Sequence, residues 1–169
     1  MKDLWRLFPL DGLGPAPRSR AVGPEEIPEP ERALLVHKRH MTVALEERHG
    51  ARLKLHVLAR RRDGDLYARR LFLTAAGRPV LFGIMRIDLA ATPPAAREQI
   101  LAERTPLGAI LIAQKVLRRI EPHRYIEVRP TRWLARLLAV RAGEPLYGRL
   151  ARIHCSGVPA VDLLEVVAR

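Results

Sequence analysis

Two-residue turn signals sit between alternating apolar runs in this chain, and that arrangement commits it to antiparallel hairpins. Leu53, Leu55, Val57 and Ala59 alternate with polar or basic neighbours, Asp63-Gly64 follows, and Tyr67, Arg69, Leu71 and Leu73 alternate again. Period-two apolar spacing marks a strand with one buried face, and an Asp-Gly pair between two such runs is a strong hairpin signal. Ala76-Gly77 makes the next reversal, into a strand over 80–89, so the first three strands form a meander. A further strand is expected at 115–128, and Ser156-Gly157 joins the last two, at 145–155 and 159–167.

Elsewhere the spacing turns helical. From Glu31, the residues Leu34, Leu35, Lys38, Met41, Thr42 and Leu45 recur at three- and four-residue intervals, and Gly50 is placed to stop one helix. Pro93-Pro94 opens a second, running through Ile100. Thr105-Pro106 opens a third, with Thr105 as N-cap and Pro106 in the first helical position, where a missing N–H costs nothing. A fourth is expected near 131–140. The sum is an α+β fold, a mostly antiparallel six-stranded sheet with helices packed on it. Residues 31–169 make that single domain. Residues 1–30 form an extended Pro-rich arm, because Pro15, Pro17, Pro24, Pro28 and Pro30 with Gly12, Gly14 and Gly23 leave no room for regular helix or strand.

A chain of 169 residues can bury one core without staples. Cys155 is the lone cysteine, which rules out an internal disulfide and suits a cytoplasmic location. Asp3, Arg6 and Pro9 interrupt the N-terminus, so no apolar stretch of about 7–15 residues is available as a secretion signal. No run approaches the roughly 18 apolar residues of a membrane span. The six histidines show no third ligand for a metal beside His37 and His40, and there is neither a Gly-rich phosphate loop nor a Gly-x-Ser-x-Gly elbow. Neither a metal site nor dinucleotide binding is therefore expected. The net charge of +12 is carried almost wholly by arginine, the lysines being Lys2, Lys38, Lys54 and Lys115. Aromatic residues make up 5% and do not interleave with the basic runs, which argues against a stacking surface for nucleic acid and for a small anionic partner. Arg60-Arg-Arg62, beside a hairpin tip, reads as a solvated charge run.

Arg69 and Arg70 are adjacent on a strand, so their side chains point to opposite faces and one of them looks inward. An inward guanidinium requires an acidic partner or a ligand, and its planar fork suits a carboxylate. Glu165 stands between Leu163-Leu164 and Val166-Val167, an acid in an apolar strand. It either neutralises that arginine or serves as a carboxylate able to exchange a proton in a closed pocket.

From Arg39-His-Met-Thr-Val-Ala-Leu-Glu46 onward, the order and spacing of several pieces resemble the chorismate pyruvate-lyase family and its small bacterial relatives. The pieces are Met41-Thr42, Tyr67-Ala-Arg69 ahead of Ala76-Gly77-Arg-Pro79, Thr105-Pro-Leu-Gly108, Tyr147-Gly-Arg149 with Arg152, Gly157-Val-Pro159, and Glu165. The resemblance selects Arg69 as the inward arginine, holding the carboxylate of an aromatic product. It places Met41, Leu107 and Gly108 in the pocket wall and Glu165 opposite the ring hydroxyl, and it leaves Arg149 and Arg152 as holders of a second carboxylate. The implied reaction is cofactor-independent elimination of pyruvate from chorismate, giving 4-hydroxybenzoate, with Arg69 and Glu165 as the catalytic pair. The alternatives are a relative that makes a different hydroxybenzoate, or a non-catalytic binder of small aromatic acids. The same fold serves as the effector-binding domain of transcription regulators, which carry a DNA-binding helix-turn-helix ahead of it; the short Pro-rich arm here is expected not to supply one. Specific nucleic-acid and membrane partners are not expected, and both monomer and dimer fit. One departure concerns Glu165. Between Gly157 and Glu165 this chain has one residue more than the known lyases, so a bulge is needed to keep the glutamate on the pocket face.

Overall fold

In the computed structural model, which describes residues 4–8, 15–141 and 143–168, seven strands form one sheet. They are β1 Arg18–Val22, β2 Leu53–Asp63, β3 Leu66–Ala75, β4 Arg78–Asp88, β5 Arg118–Arg129, β6 Leu146–Cys155 and β7 Val158–Val167. Their order is β1-β5-β6-β7-β4-β3-β2, and every neighbouring pair is antiparallel. The α+β expectation holds, with seven strands where the sequence indicated six. The added strand is β1, inside the segment expected to lack regular structure. Its residues 18–22 lie between Pro17 and Pro24 and contain no proline, so every N–H needed to pair with β5 is present.

The helices are α1 Glu31–Leu35, α2 Met41–His49, α3 Pro94–Ala102, α4 Leu107–Ala113 and α5 Arg132–Leu137. The single helix expected from Glu31 to Gly50 is two. The break has a cause outside the helix: the Arg149 guanidinium on β6 donates to the carbonyls of Leu35 and His37, at 3.2 and 3.0 Å, drawing the backbone out of helical pairing. Gly50 does end α2, in the left-handed conformation at φ +57 that glycine adopts without strain. Helix α4 begins one residue later than expected, with Pro106 as its cap.

Both faces of the sheet are covered. On one, α1 to α4 pack on Leu71, Leu73, Met85, Ile87, Ala151 and Leu163. On the other, Leu4 of a short 3₁₀ helix over Leu4–Leu7, together with Phe8 and the α5 residues Leu134 and Trp133, packs on Phe82, Ile84, Leu164 and Val166. Trp5 stacks on Phe82 at 5.6 Å and Trp133 meets the same ring edge-on at 5.4 Å. This second layer corrects the expectation that only one of Arg69 and Arg70 is withdrawn from water. They do point to opposite faces, but both are buried. The β2 alternation also changes face partway. A register shift between Val57 and Ala59 leaves Leu53 and Leu55 on the first core and moves Ala59 to the second.

Candidate functional site

Directly opposed residues of an antiparallel sheet share a face, so the register alone builds the floor of a site. One row runs Arg69, Met85, Leu163, Ala151 across β3, β4, β7 and β6; the next runs Leu71, Gly83, Glu165, Arg149. Gly83 contributes no side chain, which opens space between the Arg69 and Glu165 positions. Above this floor a small cavity of about 40 Å³ is closed by the first residues of α2 and α4, namely His40-Met41-Thr42 and Pro106-Leu107-Gly108.

Met41, Arg69, Leu107, Gly108 and Glu165 are thus brought together in one lining. Glu165 reaches it because β7 carries a bulge: Ile153 pairs with Val161 but His154 pairs with Pro159, so Ala160 is an extra residue that restores the alternation. Arg149 sits behind the lining, fully buried. Its Nε donates to Glu165 Oε2 at 2.7 Å, and its Nη atoms go to the carbonyls of Leu35, His37 and Arg39. Arg152 is not brought to this site. Being an odd number of residues from Arg149 on a strand, it lies on the opposite face, where it and Arg86 hold the buried Asp162 at 2.8 and 2.5 Å.

Arg69 is the most deeply buried of the described arginines. It is 0% exposed, and among the described residues it makes no ion pair. Its Nη1 has one long contact, 3.4 Å to the Ile100 carbonyl at the end of α3, and Nε and Nη2 have no partner. Burial pulls its pKa down, opposed by the nearby Tyr67 and Glu103. Those two neighbours escaped the sequence reading as site residues. Glu103 caps α3 at φ +55 and accepts the Tyr67 hydroxyl at 2.5 Å and Arg60 at 2.7 Å, so its charge is shared outward. Burial and then the Glu103 contact push the Tyr67 hydroxyl up to about 12, which keeps it a neutral donor. Its recurrence on the Arg69 face was the one available signal.

His40 and Gly108 were also legible only in three dimensions as a pair. A Cβ on Gly108 would lie 2.6 Å from Thr42 Oγ1 and 3.2 Å from His40 Cβ, so glycine is what lets α4 start against the start of α2. Gly108→Ala is expected to cost on the order of 1–3 kcal/mol in urea unfolding, as overpacking does; a neutral result would mean the two helix starts separate freely.

His40 receives the Arg118 Nε at 2.5 Å on its own Nε2, and burial, with Arg118 and then Arg149 nearby, lowers its pKa to about 4. The unfolded chain then binds a proton near pH 6.5 that the folded chain refuses until about pH 4, so stability falls as pH drops through that window. The loss from this group is about 3 kcal/mol at the acid end. Unfolding free energies measured from pH 7 to pH 4 should flatten in His40→Gln, and an unchanged slope would remove His40 as the cause.

Among the described residues no cluster of three His, Cys, Asp or Glu side chains is placed for a metal, and no helix is long and apolar enough to cross a membrane.

No protein-family model matches the chain, and no curated protein matches it. Solved structures do. The effector domain of PhnF from Mycobacterium smegmatis superposes with a TM-score of 0.54 at 15% identity, over 77% of this chain and 88% of that one. The ligand-binding domain of a protein described as a GntR-family transcriptional regulator, from Bordetella bronchiseptica, gives 0.52 at 18% identity, over 69% and 89%. The whole PhnF chain gives 0.54 at 14% identity, with 65% of its length covered. The fold is therefore the one that these effector and ligand-binding domains share. None of these three is described as a lyase.

Proposed function

We propose that this chain binds a small aromatic carboxylic acid in the Arg69 cavity and performs no chemistry on it. The observation that carries this reading is Arg69 itself, a guanidinium with no exposed surface, no ion pair among the described residues, and two N–H-bearing nitrogens lacking partners beside an apolar cavity. Leaving such a group unmatched costs several kcal/mol, and a carboxylate supplies what it lacks in a planar, two-pronged contact. Leu71, Leu73, Leu81 and Leu163 offer apolar surface to a ring. The likeness in fold to effector and ligand-binding domains supports the same reading.

Two features favour binding over elimination of pyruvate. Glu165 is tied to Arg149, and Arg149 is occupied by Glu165 and three carbonyls. With Arg152 on the far face, a second ligand carboxylate finds no uncommitted guanidinium. A monocarboxylate fits this charge pattern, and chorismate, with two, fits it less well. The lyase reading keeps one supporting observation, that Glu165 shares the lining with Arg69. A cavity of about 40 Å³ admits water but not a ring, so Met41, Met85 and Leu107 must swing aside; unbranched methionines do this readily.

Calorimetric titration with 4-hydroxybenzoate, alongside incubation with chorismate after chelator treatment, tests the proposal. Saturable binding without pyruvate supports it. Stoichiometric pyruvate release would replace it with the lyase, and neither binding nor turnover by folded protein would exclude both.

A further inference from the structure

A second concavity lies outside the Arg69 cavity, where the end of α4 and the start of β5 face the residues before α2. This cleft, of about 850 Å³, has Lys38, Arg39, Lys115, Arg118 and Arg119 in its wall and no carboxylate. Arg39 and Arg119 are engaged at the surface by Glu47 and Glu121. Lys38, Lys115 and Arg118 have no carboxylate within ion-pair distance among the described residues.

Arg118 is the half-buried member of the three. Its Nε donates to His40 Nε2 and its Nη1 to the Val116 carbonyl, at 2.5 and 3.0 Å. Both acceptors are neutral, so its orientation is fixed while its charge stays uncompensated. Lys115 follows α4 with φ +51, a left-handed conformation that residues with a Cβ adopt at a cost. Three like charges lining one cleft repel, and a multiply charged anion relieves the repulsion better than a carboxylate does. Apart from His40 the rest of the lining is apolar, and part of it is open to solvent: Leu117 is 76% exposed and Ile112 39%.

We propose that this cleft binds a soluble organic phosphate, with the phosphate held by Lys38, Lys115 and Arg118 and the apolar part lying on Leu117 and Ile112. A phosphate ester brings up to two negative charges and three acceptor oxygens, which matches two ammonium groups and one oriented guanidinium. Its lining and that of the Arg69 cavity have only His40 in common.

Phenyl phosphate is the probe, titrated calorimetrically into the full chain at about 0.15 M salt, where exposed nonspecific contacts are screened beyond ~8 Å. One saturable site is expected. The double variant Lys38→Glu/Lys115→Glu, whose side chains carry no packing, should bind at least about tenfold more weakly with unchanged thermal stability. Leu117→Ser should weaken phenyl phosphate while leaving inorganic phosphate unaffected. Arg69→Ala should bind phenyl phosphate as wild type does, which separates this cleft from the buried cavity. Loss in Arg69→Ala with retention in the double variant would overturn the proposal. So would absence of saturable binding, equal competition by duplex DNA, or binding only to vesicles containing phosphatidic acid.

Discussion

Arg69→Met is expected to bind 4-hydroxybenzoate at least about thirtyfold more weakly than wild type, a loss of about 2 kcal/mol or more, and yet to unfold at higher urea. The two effects have one cause. The folded protein without ligand holds a guanidinium that has no exposure and, among the described residues, no ion pair; its surroundings are one 3.4 Å contact to the Ile100 carbonyl, the Tyr67 side chain and the more distant charge of Glu103. Replacing it by an apolar side chain of similar length removes a desolvation penalty; even whole buried ion pairs exchanged for apolar residues have left other proteins more stable by about 1–4 kcal/mol. Arg69→Lys should recover little affinity, because an ammonium cannot reproduce the planar fork. Arg70→Ala should behave oppositely. Arg70 lies on the second face against Phe8 and Trp133, at 5.5 and 6.0 Å from the two rings, so its loss should lower stability and spare affinity. Urea unfolding and titration of the same three variants decide the matter: if Arg69→Met destabilises and still binds, the arginine is structural and the cavity is not the site.

Arg149→Met should lower stability by about 3–5 kcal/mol, the largest loss expected from any single charged side chain here, because it strands one partner of a buried pair. Glu165, with its side chain 12% exposed, would lose its cation, and the carbonyls of Leu35 and His37 would lose the donor that holds the α1–α2 connection open. Arg152→Ala removes an arginine of the same strand at far smaller cost. It is about a third exposed, and Asp162 keeps Arg86 as a partner, so a change within about 1 kcal/mol is expected. Denaturant midpoints for the two variants test the contrast directly. Equal losses would mean that the Arg149 contacts contribute no more than an exposed ion pair.

The elements most legible from the sequence were those with local causes. Ala76-Gly77 and Ser156-Gly157 both adopt positive φ at both turn positions, and the runs flanking them became β3–β4 and β6–β7. Gly50 ended α2 for the same local reason. Alternation also separated Arg69 from Arg70, since side chains on a strand change face at every residue. It should equally have separated Arg149 from Arg152, three residues apart, but the resemblance to the lyases had drawn both toward one ligand.

What only the tertiary structure decided were events that couple distant parts of the chain. The strand β1 exists because β5 offers it an edge, which proline density could not reveal. The helix beginning at Glu31 breaks because a guanidinium more than a hundred residues away competes for its carbonyls. Arg70 is buried because residues 4–8 and α5 cover a face that no periodicity marks as covered. Glu165 stays in the cavity because Ala160 bulges, a register choice made between β6 and β7. Sequence by itself determined which residues could pair, turn or carry charge, since those depend on side-chain chemistry and near neighbours. Which of them meet, and which charge is left without a partner inside, depended on the closing of the sheet and the layers on its two faces.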